Sequence, residues 1–303
     1  MNRQLWRRRP GSVRGTIAGA DQIAAMYLAP ITSVFHPTDF SRSNEGAFIH
    51  ALRIALLARC DLSLLHVGRH GEQHGWEGFP SVRDPLIRWG VLPAGAPHSA
   101  VTDLGVRVTK GQKVNSDPVE AIGEYVAEHL PDLVVLSTHQ RQGLSRLRRP
   151  AVAEQIARLA RVRTLFVPRR VTGFVDPDSG GLTLRRILIP IDHDPRPAAA
   201  VGAAASLARA LGQAPLEFVF LHVGPEKDSP SAYLPDHPGW TREVVCEEGD
   251  VVDTILNVSD EREVDLIVMA TRGHDGFVDA LRGSTTERVL RGAKCPLLAV
   301  PAQ

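Results

Sequence analysis

Apolar residues arrive along this chain in short runs that stop at proline or aspartate, and each run gives way to a stretch where they recur every three or four positions. Ile31–Thr32–Ser33–Val34–Phe35 ends in His36–Pro37–Thr38–Asp39, and much later Ile187–Leu188–Ile189 ends in Pro190–Ile191–Asp192. Runs this short, rich in β-branched residues and closed by turn formers, predict buried strands. After the first, Phe48, Ala51, Leu52, Ile54, Ala55 and Leu56 give a helix a wide apolar face; after the second, Ala204, Leu207, Ala208 and Leu211 do the same. Second strands follow at Leu62–Gly68 and Leu216–Gly224, both ending Leu–His–Val–Gly. Third strands are predicted near Val106–Thr109 and Glu243–Cys246, with helices from Asp117–Pro118 and from Asp250. Aspartate suits an N-cap, and proline the first helical turn. Fourth runs begin at Asp132–Leu133 and Asp265–Leu266, and last strands at Thr164–Pro168 and Pro296–Pro301 close each series.

The chain is therefore a repeat, each copy alternating strand and helix. That order predicts an α/β fold: two tandem three-layer domains, each a parallel sheet with helices on both faces. The expected boundaries are a leader over 1–29, a first domain over 30–169, a linker over 170–184 and a second domain over 185–303. Thr172 to Thr183 holds Gly173, Pro177, Gly180 and Gly181 and reads as an exposed linker. Between second and third strands the copies diverge. The first carries a long insert with Trp76, Phe79, Pro80 and Trp89 and a helix predicted around Val82–Trp89, its tryptophans expected to pack beneath the loop. The second has Pro225, Pro230, Pro235 and Pro238, which oppose a regular helix.

Bulk properties narrow the class. A length of 303 residues suits two domains, and 43% hydrophobic with 23% charged residues is ordinary for a globular protein. Lysine plus arginine total 35 against 34 acids, so no overall field recruits nucleic acid. Cys60, Cys246 and Cys295 form neither a disulfide framework nor a CxxC pair, which points to a reducing cytoplasm. No apolar run reaches the length of a membrane span. Arg3, Arg7, Arg8, Arg9 and Arg14 precede the first acid, Asp21, with no secretory apolar core behind them. The leader is expected to be disordered, or to extend ahead of a start at Met26.

The two copies differ in chemistry. In the second, the fourth strand runs through Met269–Ala270–Thr271–Arg272 to Gly273, and nine residues later comes Gly283–Ser284, then Thr285 and Thr286. Glycine permits positive φ and lets backbone amides approach an anion; a helix beginning there adds unpaired N–H groups and the positive end of its dipole. Ligands of such sheets sit beyond the carboxyl ends of the strands, where Asp192 also ends its strand. The bland alternative is an ordinary strand–turn–helix with a serine cap. In the first copy Gln140, Pro150 and Ala151 stand at the matching positions, and neither proline nor glutamine serves as an amide donor at positive φ.

On these residues the chain resembles a tandem universal stress protein from about Ile31 to Pro301. Nucleotide-binding members of that family carry Gly–two residues–Gly–nine residues–Gly–Ser/Thr, and here Ala270 stands for the first glycine. The resemblance implies five-stranded sheets of order 3-2-1-4-5. It implies ATP, with Asp192, Pro190, Ile191 and the backbone near Val223 about adenine and ribose. Met269, Ala270 and Arg272 would flank the sugar; Gly273, Gly283, Ser284 and Thr285 would hold the phosphates, accompanied by Mg2+. It implies a stress-response regulatory protein with an unidentified protein partner, and a pseudo-dimer formed inside the chain through the last strands, a homodimer remaining open. A nucleotide-free interaction scaffold of the same fold is the alternative. No catalytic residue is singled out: Asp192–His193–Asp194–Pro195–Arg196 matches no catalytic loop of related nucleotide enzymes, leaving at most slow ATP hydrolysis. His66 and His222 are expected to be structural, His70 and His74 lack a third metal ligand, and Cys246 beside Glu247 and Glu248 is not set up as a reactive thiol.

Overall fold

Ten strands form one continuous sheet in the computed structural model, which describes residues 29–68, 78–138, 162–272 and 285–302. In the first half β1 (Ser33–Thr38), α1 (Glu45–Ala58), β2 (Asp61–Gly68), α2 (Arg83–Arg88), α3 (Ser99–Asp103), β3 (Val108–Val114), α4 (Pro118–His129), β4 (Leu133–Thr138) and β5 (Thr164–Pro168) follow one another. In the second come β6 (Arg186–Pro190), α5 (Ala198–Ala210), β7 (Leu216–Val223), β8 (Trp240–Glu247), α6 (Val251–Glu261), β9 (Leu266–Arg272), α7 (Thr285–Gly292) and β10 (Leu297–Ala302).

The strand order is β3-β2-β1-β4-β5-β10-β9-β6-β7-β8, so each half is a parallel 3-2-1-4-5 sheet. The halves meet where β5 and β10 pair antiparallel, Leu297 opposite Phe166 and Leu298 opposite Leu165. The last strands thus join inside the chain, as the resemblance implied. Side chains alternate between two cores, and both cores cross this seam. One holds Val34, Leu62, Ile187 and Phe218 with α1 and α5; the other holds Phe35, Val134, Phe166 and Leu188 with α4, α6 and α7. α5 is mostly alanine and lies close on β9 and β10.

Local chemistry sets the element ends. Asp117 caps α4 through Val119 N and Glu120 N, and Asp250 caps α6 through Val252 N and Asp253 N. The aspartate that opens each fourth strand has a second duty. Asp132 Oδ2 accepts from Thr32 N at 2.8 Å and Ser33 N at 3.0 Å, and Asp265 Oδ2 accepts from Arg185 N at 2.7 Å and Arg186 N at 2.9 Å. Each carboxylate supplies an acceptor where the chain enters the first strand of its half.

Several expectations need correction. β1 runs on through Pro37 to Thr38 instead of stopping at Phe35. Its register with β4 covers only Val34 and Phe35, so the proline meets no ladder on that side. β3 spans Val108–Val114 rather than Val106–Thr109: it is an edge strand whose polar Thr109–Lys113 run hides the apolar signature. β8, at the other edge, extends from Trp240. The predicted insert helix appears as α2, while α3 was not anticipated. Trp89 packs inward, its Nε1 donating to Pro177 O at 3.0 Å.

The linker is exposed only in part. Phe174 and Val175 are 0% and 1% accessible and belong to the core that carries α1 and α5. Phe174 N donates to His50 Nε2 at 3.1 Å, and His50 Nδ1 donates to Gly46 O at 2.7 Å. Glycine, proline and aspartate correctly mark the turn at Asp176–Gly181, but the two apolar residues ahead of it decide where the segment lies. Gly173 adopts φ +75°, and a Cβ there would stand 2.4 Å from His50 Nε2. Gly173→Ala is expected to cost about 1–3 kcal/mol from left-handed strain and this clash, read as a lower urea midpoint. An unchanged midpoint would show that the segment does not dock this way in solution.

Residues 1–28 assigned to the leader, His70, His74, Trp76, and Gln140, Pro150 and Ala151 lie outside the described residues. Among the described residues no helix is long and apolar enough to cross a membrane.

Candidate functional site

The two prolines that let β1 and β6 part from their neighbours also open the crevices. β6 pairs with β9 only at Ile187 and Leu188, while Pro190 stays in register with Leu221 of β7. Strand order reverses at this point, and the carboxyl ends splay apart there. A cleft of about 410 Å³ fills the gap. Pro190, Ile191 and Asp192 form one wall, Met269, Ala270 and Thr271 another, and Leu221 and Val223 close a third side. Val251 and Ile255 of α6 and Thr285 and Thr286 of α7 complete it.

Hydrogen bonds fix the walls. Ile191 N donates to Leu221 O at 2.8 Å, and His222 Nδ1 donates to Ile191 O at 3.4 Å. The equivalent His66 Nδ1 donates to Thr38 O at 2.9 Å, so the shared Leu–His–Val–Gly histidine ties the second strand to the end of the first in both halves. Asp192 Oδ1 accepts from His193 N at 2.7 Å, and Thr271 Oγ1 donates to Val300 O at 3.3 Å. Among the described lining residues the charged groups are Asp192 and Asp194, with no lysine or arginine. The cleft is an apolar slot with carboxylates at its lip, bordered by the start of α7.

In the first half the equivalent strand ends are tied together by side chains. Asp39, the counterpart of Asp192, accepts from Ser41 Oγ at 2.6 Å, Ser41 N at 3.0 Å and Arg169 Nη2 at 3.0 Å. Arg169 Nε reaches Ser137 Oγ at 3.3 Å, and its Nη1 reaches Ser43 Oγ. One guanidinium therefore bridges the ends of β1 and β4. Half-burial works to raise the Asp39 carboxyl, but the Ser41 hydroxyl and amide and the Arg169 charge outweigh it and hold the group below its ordinary range. Phe40 stacks on His66 at 3.7 Å and meets Phe79 edge-on at 5.1 Å, filling the adjoining space.

Pro190, Ile191, Asp192, Val223, Met269, Ala270 and Thr285, named from sequence, come together around one cleft. Arg272 ends β9 next to it, and its side chain lies outside what the structure describes. Gly273, Gly283 and Ser284 lie outside the described residues. Sequence reading missed Val251 and Ile255. Their spacing behind the Asp250 cap marks one helix face, but only the fold shows that the face looks into the cleft. Among the described residues no three His, Cys, Asp or Glu side chains cluster to hold a metal. Burial pushes the Cys60 and Cys295 thiols up to about 12, so neither is a nucleophile.

Comparison with known proteins agrees with this architecture. Universal stress protein MJ0531 of Methanocaldococcus jannaschii is 42% identical over 53 residues, 18% of this chain and 31% of that protein. A universal stress protein of Methanothermobacter thermautotrophicus is 38% identical over 63 residues, 21% of this chain and 42% of that one. The matches thus span less than half of each curated relative. Among solved structures, a universal stress protein of Archaeoglobus fulgidus covers 90% of this chain and 98% of its own, with TM-score 0.57 and 16% identity. A functionally unknown protein of Pseudomonas aeruginosa, PA1789, covers 91% and 94%, with TM-score 0.61 and 15% identity. At these identities the two structures speak for the fold alone. The family model for the Universal stress protein family matches residues 31–168 and 234–301, more than half of the sequence. With its repeating unit present twice, the chain belongs to the universal stress protein family.

Proposed function

We propose that the second half binds an adenine nucleotide, ATP with Mg2+, and that occupancy of its cleft governs a protein partner in a cytoplasmic stress response. The observation that carries the reading is the cleft at the β6–β9 strand reversal. Its volume of about 410 Å³ lies within the roughly 300–1,000 Å³ typical of small-molecule pockets. The base would occupy the slot between Val223, Val251 and Met269, and Asp192 would accept from the ribose hydroxyls. Thr285, with Gly273, Gly283 and Ser284, would take the phosphates through hydroxyls and main-chain amides. Because Asp192 and Asp194 are the charged groups of the described lining, a divalent cation would serve to offset the polyanion near them. The first half, whose Asp39 is already engaged by Arg169, would act as a structural or partner-facing copy.

Acid precipitation of the purified protein is expected to release an adenine nucleotide, and calorimetry with magnesium–ATP to show one site per chain. Val251→Glu places a carboxylate in the apolar wall at a position already 44% accessible, so the fold should tolerate it. Affinity should fall about tenfold, roughly 1.4 kcal/mol. Absence of both copurified nucleotide and binding heat would remove the proposal in favour of a nucleotide-free scaffold.

A further inference from the structure

A second cavity, of about 350 Å³, lies in the first half between the N-terminal turn of α1, the end of β5 and the docked linker. Arg42, Arg169 and Arg170 line it, against the single carboxylate of Glu45. Its floor is apolar, formed in part by Val167 and Val175. The arginines are not equivalent. The Arg169 side chain is 16% accessible and already committed to Asp39, Ser43 and Ser137, so its position is fixed. Arg42 and Arg170 are exposed and form no ion pair among the described residues.

Like charges gathered at one cavity repel unless something neutralises them. Asp39 answers Arg169 alone. The guanidinium is a planar fork that grips phosphate or carboxylate by paired N–H donors and gives up its hydration more readily than an ammonium. Its volume of about 350 Å³ lies within the roughly 300–1,000 Å³ range of small-molecule pockets, room enough for a short anionic ligand. We propose that this cavity binds a small dianion, a phosphate monoester or a dicarboxylate, clamped by Arg42 and Arg170 over the fixed Arg169. The site is separate from the nucleotide cleft and does not depend on it. A ligand seated there touches both α1 and the linker through Thr172 and Val175, so it would tighten the segment that joins the halves.

The test titrates the full chain with glycerol 3-phosphate, with succinate and with glycerol, following heat and melting temperature. At least one dianion is expected to bind saturably and raise the melting temperature, and glycerol to do neither. The double variant Arg42→Ala/Arg170→Ala should weaken that binding at least about tenfold while keeping the urea midpoint and the response to magnesium–ATP, because both side chains are exposed and form no ion pair among the described residues. Val251→Glu should leave dianion binding unchanged. The proposal is overturned if neither dianion binds, if the double variant binds as before, or if Val251→Glu removes the binding instead.

Discussion

Phe174→Ala is expected to lower the unfolding free energy by about 3–5 kcal/mol, the range for deleting a buried phenylalanine. The residue sits in a stretch that its glycines, proline and aspartates mark as linker, yet it is fully buried. Its ring meets the His50 imidazole edge-on at 4.6 Å, and its amide donates to the same side chain. Alanine would remove the ring from a core cluster that includes residues of both halves. Because that core is continuous across the β5–β10 seam, the loss should appear as one cooperative shift of the urea transition rather than early melting of one half. A change below about 1 kcal/mol would mean that the segment only rests on the surface.

That contrast shows what the sequence carries and what it leaves open. The sheet was legible because buried parallel strands are short, almost continuously apolar and sharply ended, and because each such signal occurs twice. The cleft was legible at Pro190–Ile191–Asp192 for a related reason: the residues that end a strand are those that let it part from its neighbour. Edge strands were less legible, since solvent on one side of β3 permits Thr109 and Lys110 where an inner strand demands valine. The docked linker was misread because turn-forming composition describes backbone shape and says little about where two apolar side chains insert. Arg169 was invisible to any local pattern. Its partners Asp39, Ser43 and Ser137 are 130, 126 and 32 positions away, and only the β1–β4 adjacency brings them together. The same holds for Val251 and Ile255: periodicity gives a helix its faces, and topology decides what each face covers.

Acid should destabilise the fold well above the carboxylate range, by about 3 kcal/mol for each of two histidines. His36 and His50 are fully buried, one within β1 and the other within α1. Burial lowers His36 from 6.5 to about 4, although its Nδ1 hydrogen bond to Val135 O at 2.9 Å and the charge of Asp39 oppose the shift. Its Nε2 is buried without a hydrogen-bond partner, beside the tilted ring of Phe48. Burial also lowers His50 to about 4 against its bond to Gly46 O. Protonating His50 would turn the acceptor nitrogen toward the Phe174 amide into a donor, setting two N–H groups face to face. The sign follows from proton counting. Between pH 6.5 and about 4 the unfolded chain binds protons at these positions that the native chain does not, so stability is full above 6.5, declines across that window and levels off below it. Asp39, Asp176 and Asp250, whose carboxyls are held below 3.8, begin to lose their contributions only below about pH 5, so the upper part of this window belongs to the histidines. Urea midpoints from pH 7 to 4.5 would measure the decline. His50→Gln keeps one acceptor for Phe174 N and one donor for Gly46 O but cannot titrate, and it should remove about half of the slope. A native chain whose midpoint is flat over that range, or a variant whose slope equals the parent's, would show that these imidazoles are not held neutral by the fold.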